Sequence, residues 1–436
     1  MSENDSDMIY GLWDKPPVFE LILLSLQRLC AIFGATILVP IVVNTTVGEP
    51  VLSVPVALIA SGIGTLLYVI VTRNRSPVYL GSSFAFIAPM IAGFAIGGKS
   101  SIFSALMVVG LVYMAIAIII RITGNEWINK LLPPVIVGPM IMVIGLCLAP
   151  TAIQEIGLDQ AAIPINNLIV ALVAFLTTAV IAIRGRGMLK VIPFLIGIIV
   201  SYAVAACLGM VDFSGFYAAS VLEVPDFYMP FINYSFNPAA LLTIVPIALV
   251  TMVEHVGDHK VLGEIIGRDL ISDPGLNKTL FGDGLATFFA AFIGGPANTT
   301  YGENTSVVGL TRVASIYVIG LTAIFAILFA FSGHLTALLA AMPNPVIGGV
   351  AILLYGFIAV NGVKLLIQEE VNFNNNKNIV VAATMLVLGL GGATLSIVQG
   401  DLSVSISGMA LAAIVGVVLN LLIPEREDDK EFTEVH

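Results

Sequence analysis

Apolar runs of about 20 residues follow one another along almost the whole of this chain, enough for a helix to cross the roughly 30 Å hydrocarbon core of a bilayer. The sequence has 436 residues, of which 58% are hydrophobic and only 11% are charged. Soluble domains carry about 25% charged residues, so a soluble fold does not fit this composition. The sequence predicts an all-α polytopic membrane protein that is embedded in a lipid bilayer.

Fourteen membrane segments are predicted, and the polar stretch 211–237 divides them seven and seven. The predicted spans are 19–43, 53–72, 78–95, 102–121, 133–150, 165–184, 188–210, 239–261, 277–294, 297–311, 313–333, 344–363, 378–398 and 402–423. Seven is an odd number, so the second half must enter the membrane from the opposite side. We therefore predict two inverted seven-span repeats.

The distribution of lysine and arginine supports this count. With the amino terminus in the cytoplasm, the basic loop residues lie on or near the inner side, with Lys99 as the exception. The outer loops 44–52, 151–164, 211–238 and 334–343 contain no lysine or arginine. Such a bias sets the orientation of helical membrane proteins. We expect both termini to be cytoplasmic.

Two short motifs recur in the two halves at nearly the same offset. Ser82-Ser83-Phe84-Ala85-Phe86 resembles Thr299-Thr300-Tyr301-Gly302-Glu303, and the run 134–138 resembles 345–349. The hydroxyl-rich and aromatic starts of segments 3 and 10 favour extended backbone, which membranes tolerate only where it is buried or lines a cavity. We predict a short strand followed by a half-helix in each segment. Interrupted segments in corresponding halves are typical of a transporter's binding site.

Few ionisable residues lie within the predicted spans, and each is a functional hypothesis by default. Glu254 and Asp258 share one face of the eighth span, Glu303 begins the half-helix of the tenth, and Arg28 lies in the first. Other roles are open: Glu254 could brace two helices, Glu303 could stabilise a helix dipole, and Arg28 could extend its charge toward the cytoplasm. Asp258 could be hydrated or locally paired.

A metal site at His255 and His259 is disfavoured, since their order is not HExxH, no third ligand is evident and Lys260 adjoins. The chain contains no phosphate-binding loop, nucleophile elbow or other hydrolytic motif. We therefore expect no enzymatic activity, no cofactor, no metal and no nucleic-acid partner. Transport would be passive or driven by an ion gradient.

At these residues the chain resembles the nucleobase–cation symporter family, also called nucleobase–ascorbate transporters, and within it the bacterial uracil permeases. The signature of an acidic or amide residue, Asn, any residue, Gly, four residues, Thr and Arg has its counterpart at 303–312. The other segments that carry the resemblance are 25–28, 33–36, 39–40, 79–86, 254–257, 273–275 and 296–304.

The resemblance implies two domains: a core domain (19–132 and 239–333) and a gate domain (133–210 and 344–423). It also implies a homodimer in the bacterial cytoplasmic membrane and an elevator-like movement of the core. The implied substrate is a nucleobase, uracil, carried by symport with a proton.

The resemblance also implies the site. Glu254 and Glu303 would form hydrogen bonds with the nucleobase, and Glu254, with Asp258, would take part in proton coupling. The other implied substrate-binding residues are Phe84, Gly302, Tyr301, Ser83 and Ala35. The chemistry is consistent, because carboxylates accept from the ring N–H groups and backbone N–H groups donate to its carbonyls.

Three positions depart from the family pattern. Arg28 stands where a histidine is frequent and cannot cycle protons, and Ser306 replaces the glycine of the signature. Asp258 stands where some uracil permeases have a second histidine, so it would either relay the proton or tune Glu254.

Other functions remain open at this stage. The substrate could be xanthine or another purine, since both glutamates could satisfy a purine too. An anion transporter or channel of the same architecture is disfavoured, because the Glu303 carboxylate would repel an anion. A membrane enzyme or scaffold has no motif in its favour.

Overall fold

The computed structural model describes residues 8–186, 189–190, 192–228, 234, 236–399, 402–406 and 408–423. Most of these residues are helical. The helices of the first half are α1 (Val18–Val47), α2 (Val54–Val71), α3 (Ile87–Thr123), α4 (Glu126–Leu131), α5 (Pro134–Cys147), α6 (Ala149–Ile156), α7 (Ile165–Arg184), α8 (Pro193–Cys207) and α9 (Ser214–Ala218). Those of the second half are α10 (Pro238–Ile244), α11 (Ile247–Ile266), α12 (Leu276–Phe292), α13 (Gly302–Thr311), α14 (Ile316–Ala330), α15 (Gly333–Ala340), α16 (Asn344–Gln368), α17 (Asn376–Leu390) and α18 (Gly408–Leu422).

The lengths of these helices suit a membrane protein. Among the described residues, seven helical stretches are long and apolar enough to cross a bilayer, and four shorter apolar helices accompany them. Two helical segments are interrupted. In α3 the left-handed Gly98 (φ 68°) separates a half-helix from the predicted fourth span, and Pro246 separates α10 from α11. The arrangement is consistent with fourteen segments in two inverted repeats.

Two three-residue strands, one from each half of the chain, pair at the centre of the molecule. Strand β1 (Leu80–Ser82) runs antiparallel to β2 (Asn298–Thr300), with Gly81 opposite Thr299. All six residues are buried. The first strand leads through a 3-10 turn at Phe84–Phe86 into α3, and the second leads through Tyr301 into α13.

Side chains of neighbouring helices satisfy the strand backbone. Ser61 Oγ donates to the Leu80 carbonyl oxygen at 2.7 Å, and Thr65 Oγ1 accepts from the Leu80 N–H at 3.0 Å. Asn298 Nδ2 donates to the Ala60 carbonyl oxygen at 2.7 Å. Extended backbone away from water needs such partners. The hydroxyls of α2 thus explain how a strand pair is stable inside an apolar protein.

The helices pack in two groups. In the first, α2 packs on α12 and α14, and α3 packs on α12, around the strand pair. In the second, α16 packs on α5, α6 and α7, and α17 packs on α5 and α18. The groups meet where α11 contacts α5 and where α1 contacts α8.

Close helix contacts depend on small residues in both groups. A Cβ on Gly110 of α3 would lie 2.6 Å from the Gly284 carbonyl oxygen, and one on Gly284 of α12 would lie 2.8 Å from the Gly110 carbonyl oxygen. A Cβ on Gly138 of α5 would likewise lie 3.1 Å from the carbonyl oxygen of Gly362 in α16. Glycine lets helix backbones approach within a membrane, where dispersion contacts and close packing drive association.

The amino-terminal segment 9–15 forms a strap across one end of the first group. The Ile9 N–H donates to the Arg312 carbonyl oxygen at 2.8 Å, and the Ala314 and Ile316 N–H groups donate to Tyr10 and Leu12 at 2.8 and 3.0 Å. The strap therefore fixes the connection between α13 and α14.

The last two predicted spans differ from the structure. Helix α17 ends at Leu390, and an antiparallel hairpin of β3 (Leu395–Gln399) and β4 (Leu402–Ile406) precedes α18. The predicted helices over 378–398 and 402–423 are therefore too long. The sequence of β4, Leu402-Ser403-Val404-Ser405-Ile406, alternates branched apolar residues with serine, a period of two that is typical of strands.

Candidate functional site

A cavity lies where the strand pair and α13 face α11 and α16. Its polar lining includes the acids Glu254 and Asp258 of α11, Glu303 of α13, and Asn361 and Lys364 of α16. Ionisable side chains are rare inside membranes and concentrate along substrate and ion pathways. Their convergence from three helices makes this cavity the candidate site.

Three carboxylates reach the cavity by different routes. Glu254 and Asp258 are one helical turn apart on α11, and Glu303 occupies the first turn of α13. All three residues are half-buried. A side-chain carbon on Gly302 would lie 3.6 Å from Asp258 Oδ1 and 3.5 Å from Asn361 Nδ2. The backbone at the start of α13 therefore lies next to both polar groups.

The start of α13 also supplies hydrogen-bond donors. Tyr301 is extended (φ −110°, ψ 118°), and the helix begins at Gly302 without a side-chain cap. The first N–H groups of any α-helix have no partner within the helix, and the positive end of its dipole lies there. The cavity thus combines carboxylate acceptors with backbone donors.

Two aromatic residues line the cavity. Phe84 is buried, and its ring meets Tyr355 of α16 edge to face at 6.0 Å. The Tyr301 hydroxyl donates to the Ser82 carbonyl oxygen at 3.1 Å, and its oxygen lies 3.3 Å from Thr36 Oγ1. Tyr301 therefore holds β1 and α1 in place as well as lining the cavity.

Ala35 and Ser83 lie behind this lining. Both are buried, and neither is among the described residues that line the cavity. The Ser83 N–H donates to the Ala297 carbonyl oxygen at 2.9 Å, which continues the strand pairing. Of the predicted site residues, the structure brings Glu254, Asp258, Glu303, Phe84, Tyr301 and Gly302 together at the cavity.

Polar residues of α16 at the cavity escaped the sequence analysis. Asn361, Lys364 and Gln368 line it at helical spacing, which places them along one side of α16. The sequence did offer one indication of these residues, because Asn361 lies inside the predicted span 344–363 and Lys364 lies at its end. Their sequence context gave no indication that α16 would face α11 and α13.

Arg28 is structural in this arrangement. It is 2% exposed, and its guanidinium donates to Asn304 Oδ1 at 3.0 Å and to the Val313 carbonyl oxygen at 2.6 Å. Asn304 in turn donates to the Pro77 carbonyl oxygen at 3.1 Å. Arg28 thus connects α1 to both ends of α13 instead of extending toward the cytoplasm.

His255 and His259 belong to a buried hydrogen-bond network beside the cavity. His255 Nδ1 lies 2.8 Å from Asp283 Oδ2, and His259 Nε2 lies 2.6 Å from the Tyr68 hydroxyl. The two imidazole rings stack with their centroids 4.0 Å apart. Within the part of the chain that the structure describes, no group of three His, Cys, Asp or Glu side chains is arranged to hold a metal.

Comparison with known proteins identifies the family. Residues 19–423 match the Permease family (Xan_ur_permease). The chain belongs to this family. The resemblance inferred from the sequence motifs is thereby confirmed, and the relatives below are named as permeases and not as enzymes.

Curated relatives match over nearly their full length. The chain is 46% identical to the uracil permease of Bacillus caldolyticus, covering 97% of this chain and 96% of the relative. It is 44% identical to the uracil permease of Bacillus subtilis (strain 168), covering 98% of each. It is 39% identical to the uracil permease of Escherichia coli (strain K12), covering 94% and 93%.

Solved structures share the fold at low identity. The murine anion transporter Slc26a9 in its inward-facing state matches with a TM-score of 0.70 at 12% identity, covering 94% of this chain and 68% of that one. The transmembrane domain of the cyanobacterial bicarbonate transporter BicA matches with a TM-score of 0.57 at 13% identity, covering 93% and 98%. These likenesses concern architecture alone.

Proposed function

We propose that this chain is a secondary active uracil permease that imports uracil together with a proton. The observation that carries the proposal is the 46% identity to a protein named uracil permease over 97% of the chain. The acid-lined cavity is consistent with it, since Glu254 and Glu303 belong to separate helices that meet around one small space.

Uracil suits the chemistry of this cavity. Its planar ring alternates N–H donors with carbonyl acceptors. The carboxylates of Glu254 and Glu303 accept from the N–H groups, and the free N–H groups at the start of α13 donate to the carbonyls. Phe84 provides an apolar partner for the ring. Asn361 is a further polar contact from α16, and Ala35 and Ser83 support the binding residues from behind.

Proton coupling follows from the crowding of acids. Glu254, Asp258 and Glu303 repel one another when all three are ionised, so a bound proton stabilises the set. A protonated carboxyl group also donates a hydrogen bond, which links proton binding to substrate binding. In this proposal Glu254 takes the proton, and Asp258 either relays it or modulates Glu254.

The proposal includes an architecture for transport. The fourteen segments form inverted repeats, with a core domain of 19–132 and 239–333 and a gate domain of 133–210 and 344–423. The core carries uracil across the membrane by an elevator movement against the gate. Two copies assemble through their gate domains as a homodimer in the bacterial cytoplasmic membrane, with both termini in the cytoplasm.

Uptake of radiolabelled uracil into proteoliposomes with a pH gradient tests the substrate and the coupling together. We expect gradient-dependent uptake that excess xanthine does not inhibit. Glu303→Gln should weaken uracil binding by at least about tenfold, because a hydrogen bond to a charged group contributes about 1.5–3 kcal/mol. Glu254→Gln should remove the dependence of uptake on the pH gradient, because its amide binds no proton. Glu264→Gln, an exposed position on the same helix, is the matched control.

Different failures point to different alternatives. Inhibition by xanthine would favour a purine substrate. Uptake of bicarbonate or chloride in place of uracil would favour an anion transporter and overturn the proposal. Uracil uptake without any effect of the pH gradient would support uracil as the substrate and exclude coupling to a proton.

A further inference from the structure

His255 and Asp283 form a buried pair of ionisable groups outside the cavity. Neither residue makes a proposed substrate contact. His255 of α11 and Asp283 of α12 are both completely buried, and 2.8 Å separates Nδ1 from Oδ2. Neither His255 nor Asp283 is among the described residues lining the cavity. Their other polar atoms, His255 Nε2 and Asp283 Oδ1, are buried and have no partner among the described residues.

The charge of this pair depends on one proton. With Asp283 ionised and His255 neutral, the pair carries one negative charge inside the protein. A hydronium ion that gives its proton to the Nε2 lone pair leaves water and a neutral imidazolium–carboxylate pair. A buried net charge costs several kcal/mol, whereas a close ion pair offsets part of that cost. The pair therefore gains stability by binding one proton, at His255 Nε2 or at Asp283 Oδ1, the two buried atoms that have no partner among the described residues.

The surrounding groups favour a proton on His255 over one on its neighbour. Nδ1 of His259 lies 2.7 Å from the His255 carbonyl oxygen, which can only accept, so this nitrogen carries a hydrogen. Its Nε2 contacts the Tyr68 hydroxyl, which in turn contacts Ser76 Oγ at 2.9 Å. Both ring nitrogens of His259 thus have hydrogen-bond partners, whereas Nε2 of His255 has none among the described residues.

Several titratable groups face the pair from the adjoining helices. Tyr68 comes from α2 and Tyr113 from α3, and both are within electrostatic range of Asp283. Glu254 and Asp258 lie on α11 itself and interact with Asp283 electrostatically. No lysine or arginine of the described residues forms an ion pair with Asp283. A change of charge at the His255–Asp283 pair therefore alters the electrostatic potential at Glu254 and Asp258.

We propose that His255 and Asp283 form a second proton-binding site that carries a coupled proton, separate from the carboxylates at the substrate cavity. This proposal rests on the proposed symport function. Its consequence is that the proton count per substrate can be changed without touching any residue that contacts the substrate.

The decisive measurement is the number of protons carried per uracil in proteoliposomes. A gradient of about one pH unit can drive about tenfold accumulation for each coupled proton. Asp283→Asn leaves the pair neutral without a bound proton, so we expect the proton count to fall by one. Exchange of labelled for unlabelled uracil without a gradient should continue. Tyr113→Phe is the control, since it removes a buried 2.6 Å hydrogen bond to Thr251 and no charge of the pair.

An unchanged proton count in Asp283→Asn would overturn the proposal. Loss of exchange in a variant that is folded by its thermal midpoint would also overturn it, because the pair would then act on substrate binding. If Asp283→Asn does not fold, the double variant His255→Gln/Asp283→Asn replaces the pair by two neutral amides and is held to the same expectations.

Infrared difference spectra of the substrate-free protein after a pH jump separate this proposal from the substrate assignment. We expect carboxylate and imidazole bands that disappear in both His255→Gln and Asp283→Asn. If the bands are present in a protein that transports no uracil, the proposed proton-binding site stands and the assignment of uracil as the substrate is rejected. Their absence from the wild type would overturn the proton site.

Discussion

Arg28 lies in the first membrane helix with both ends of its guanidinium engaged. Its partners are Asn304, in the first turn of the half-helix α13, and the Val313 carbonyl oxygen, just after the end of that helix. A buried arginine of this kind carries no proton through the transport cycle, because its guanidinium stays charged. Its contribution is to hold α13 at a fixed distance from α1.

Replacing Arg28 should therefore destabilise the protein more than it changes the chemistry. Arg28→Ala leaves a buried amide oxygen and a buried carbonyl without donors, and we expect a loss of about 2–3 kcal/mol. The thermal midpoint in detergent measures it. The control is Arg121→Ala at an exposed helix end. An Arg28→Ala protein as stable as this control would contradict the structural role.

Gly81 is a second residue whose size matters more than its chemistry. A Cβ at this position would overlap the ring of Tyr301, which packs across the strand pair. We expect Gly81→Ala to displace that ring and to weaken substrate binding at least about tenfold, since about 1.4 kcal/mol of strain suffices. Tyr301→Phe keeps the ring and is the comparison. Equal binding by wild type and Gly81→Ala would show that the ring adapts.

At the scale of elements, the loops that join the helices are held by a small charged cluster. Arg75, before β1, lies 2.7 Å from Asp273 Oδ1, and Arg268, after α11, lies 3.1 Å from Oδ2. The Arg268 guanidinium also stacks over Trp13 of the strap, 4.5 Å from the ring centroid. Three separate stretches of chain, the strap, the segment before β1 and the connection between α11 and α12, therefore meet at one carboxylate and its two arginines.

This cluster gives a defined pH dependence. The hydrogen bond from Arg75 holds the pKa of Asp273 below its ordinary value, and Arg268 acts in the same direction. A lowered folded-state pKa stabilises the protein above the unfolded value of about 3.9, and that stabilisation is lost as the pH falls through the folded value.

Asp273→Asn should consequently lower the thermal midpoint at pH 7 and have a diminishing effect in acid. The effect is small, because half-exposed pairs are screened by solvent. Midpoints of both proteins, measured from pH 7 downward, should converge below the folded pKa. A difference that stays constant into acid would mean that charge is not its origin.

The apolar runs predicted the long helices well, since twenty apolar residues have few other solutions in a membrane. The predicted span 19–43 lies within α1, and 165–184 coincides with α7. The hairpin of β3 and β4 was not predicted, because its branched apolar residues continue the apolar runs of α17 and α18 and only β4 shows the strand period of two. The partners of Arg28 lie 276 and 285 residues away, and Asn361 approaches Gly302 from a separate helix, so no local pattern identifies these contacts.

At the scale of the whole molecule, transport requires the two helix groups to move relative to each other if the elevator proposal holds. Gly34 of α1 and Phe194 of α8 face each other across their boundary, and a Cβ on Gly34 would lie 3.7 Å from that of Phe194. Disulfides need Cβ separations of about 3.5–4.5 Å. This position is therefore suited to locking the boundary.

A protein with Gly34→Cys and Phe194→Cys, after replacement of Cys30, Cys147 and Cys207, should form a disulfide on oxidation. We expect oxidation to reduce uracil uptake by at least about 90%, because each proposed core movement would separate the Cβ atoms at positions 34 and 194 by more than a disulfide can span. Uptake should return on reduction, which makes the same sample its own control. Full uptake by the oxidised, cross-linked protein would contradict an elevator.

The pairing of β1 with β2 has a consequence for how the chain is made. Synthesis proceeds at about 5–20 residues per second, so the roughly 220 residues between the strands take some 10–45 s. Throughout that interval β1 can use the hydroxyls of Ser61 and Thr65 but has not yet met its partner strand. The pairing of β1 can therefore be completed only after most of the chain has been synthesised. A chain that stops before Asn298 lacks the whole of β2 and leaves β1 without its partner strand.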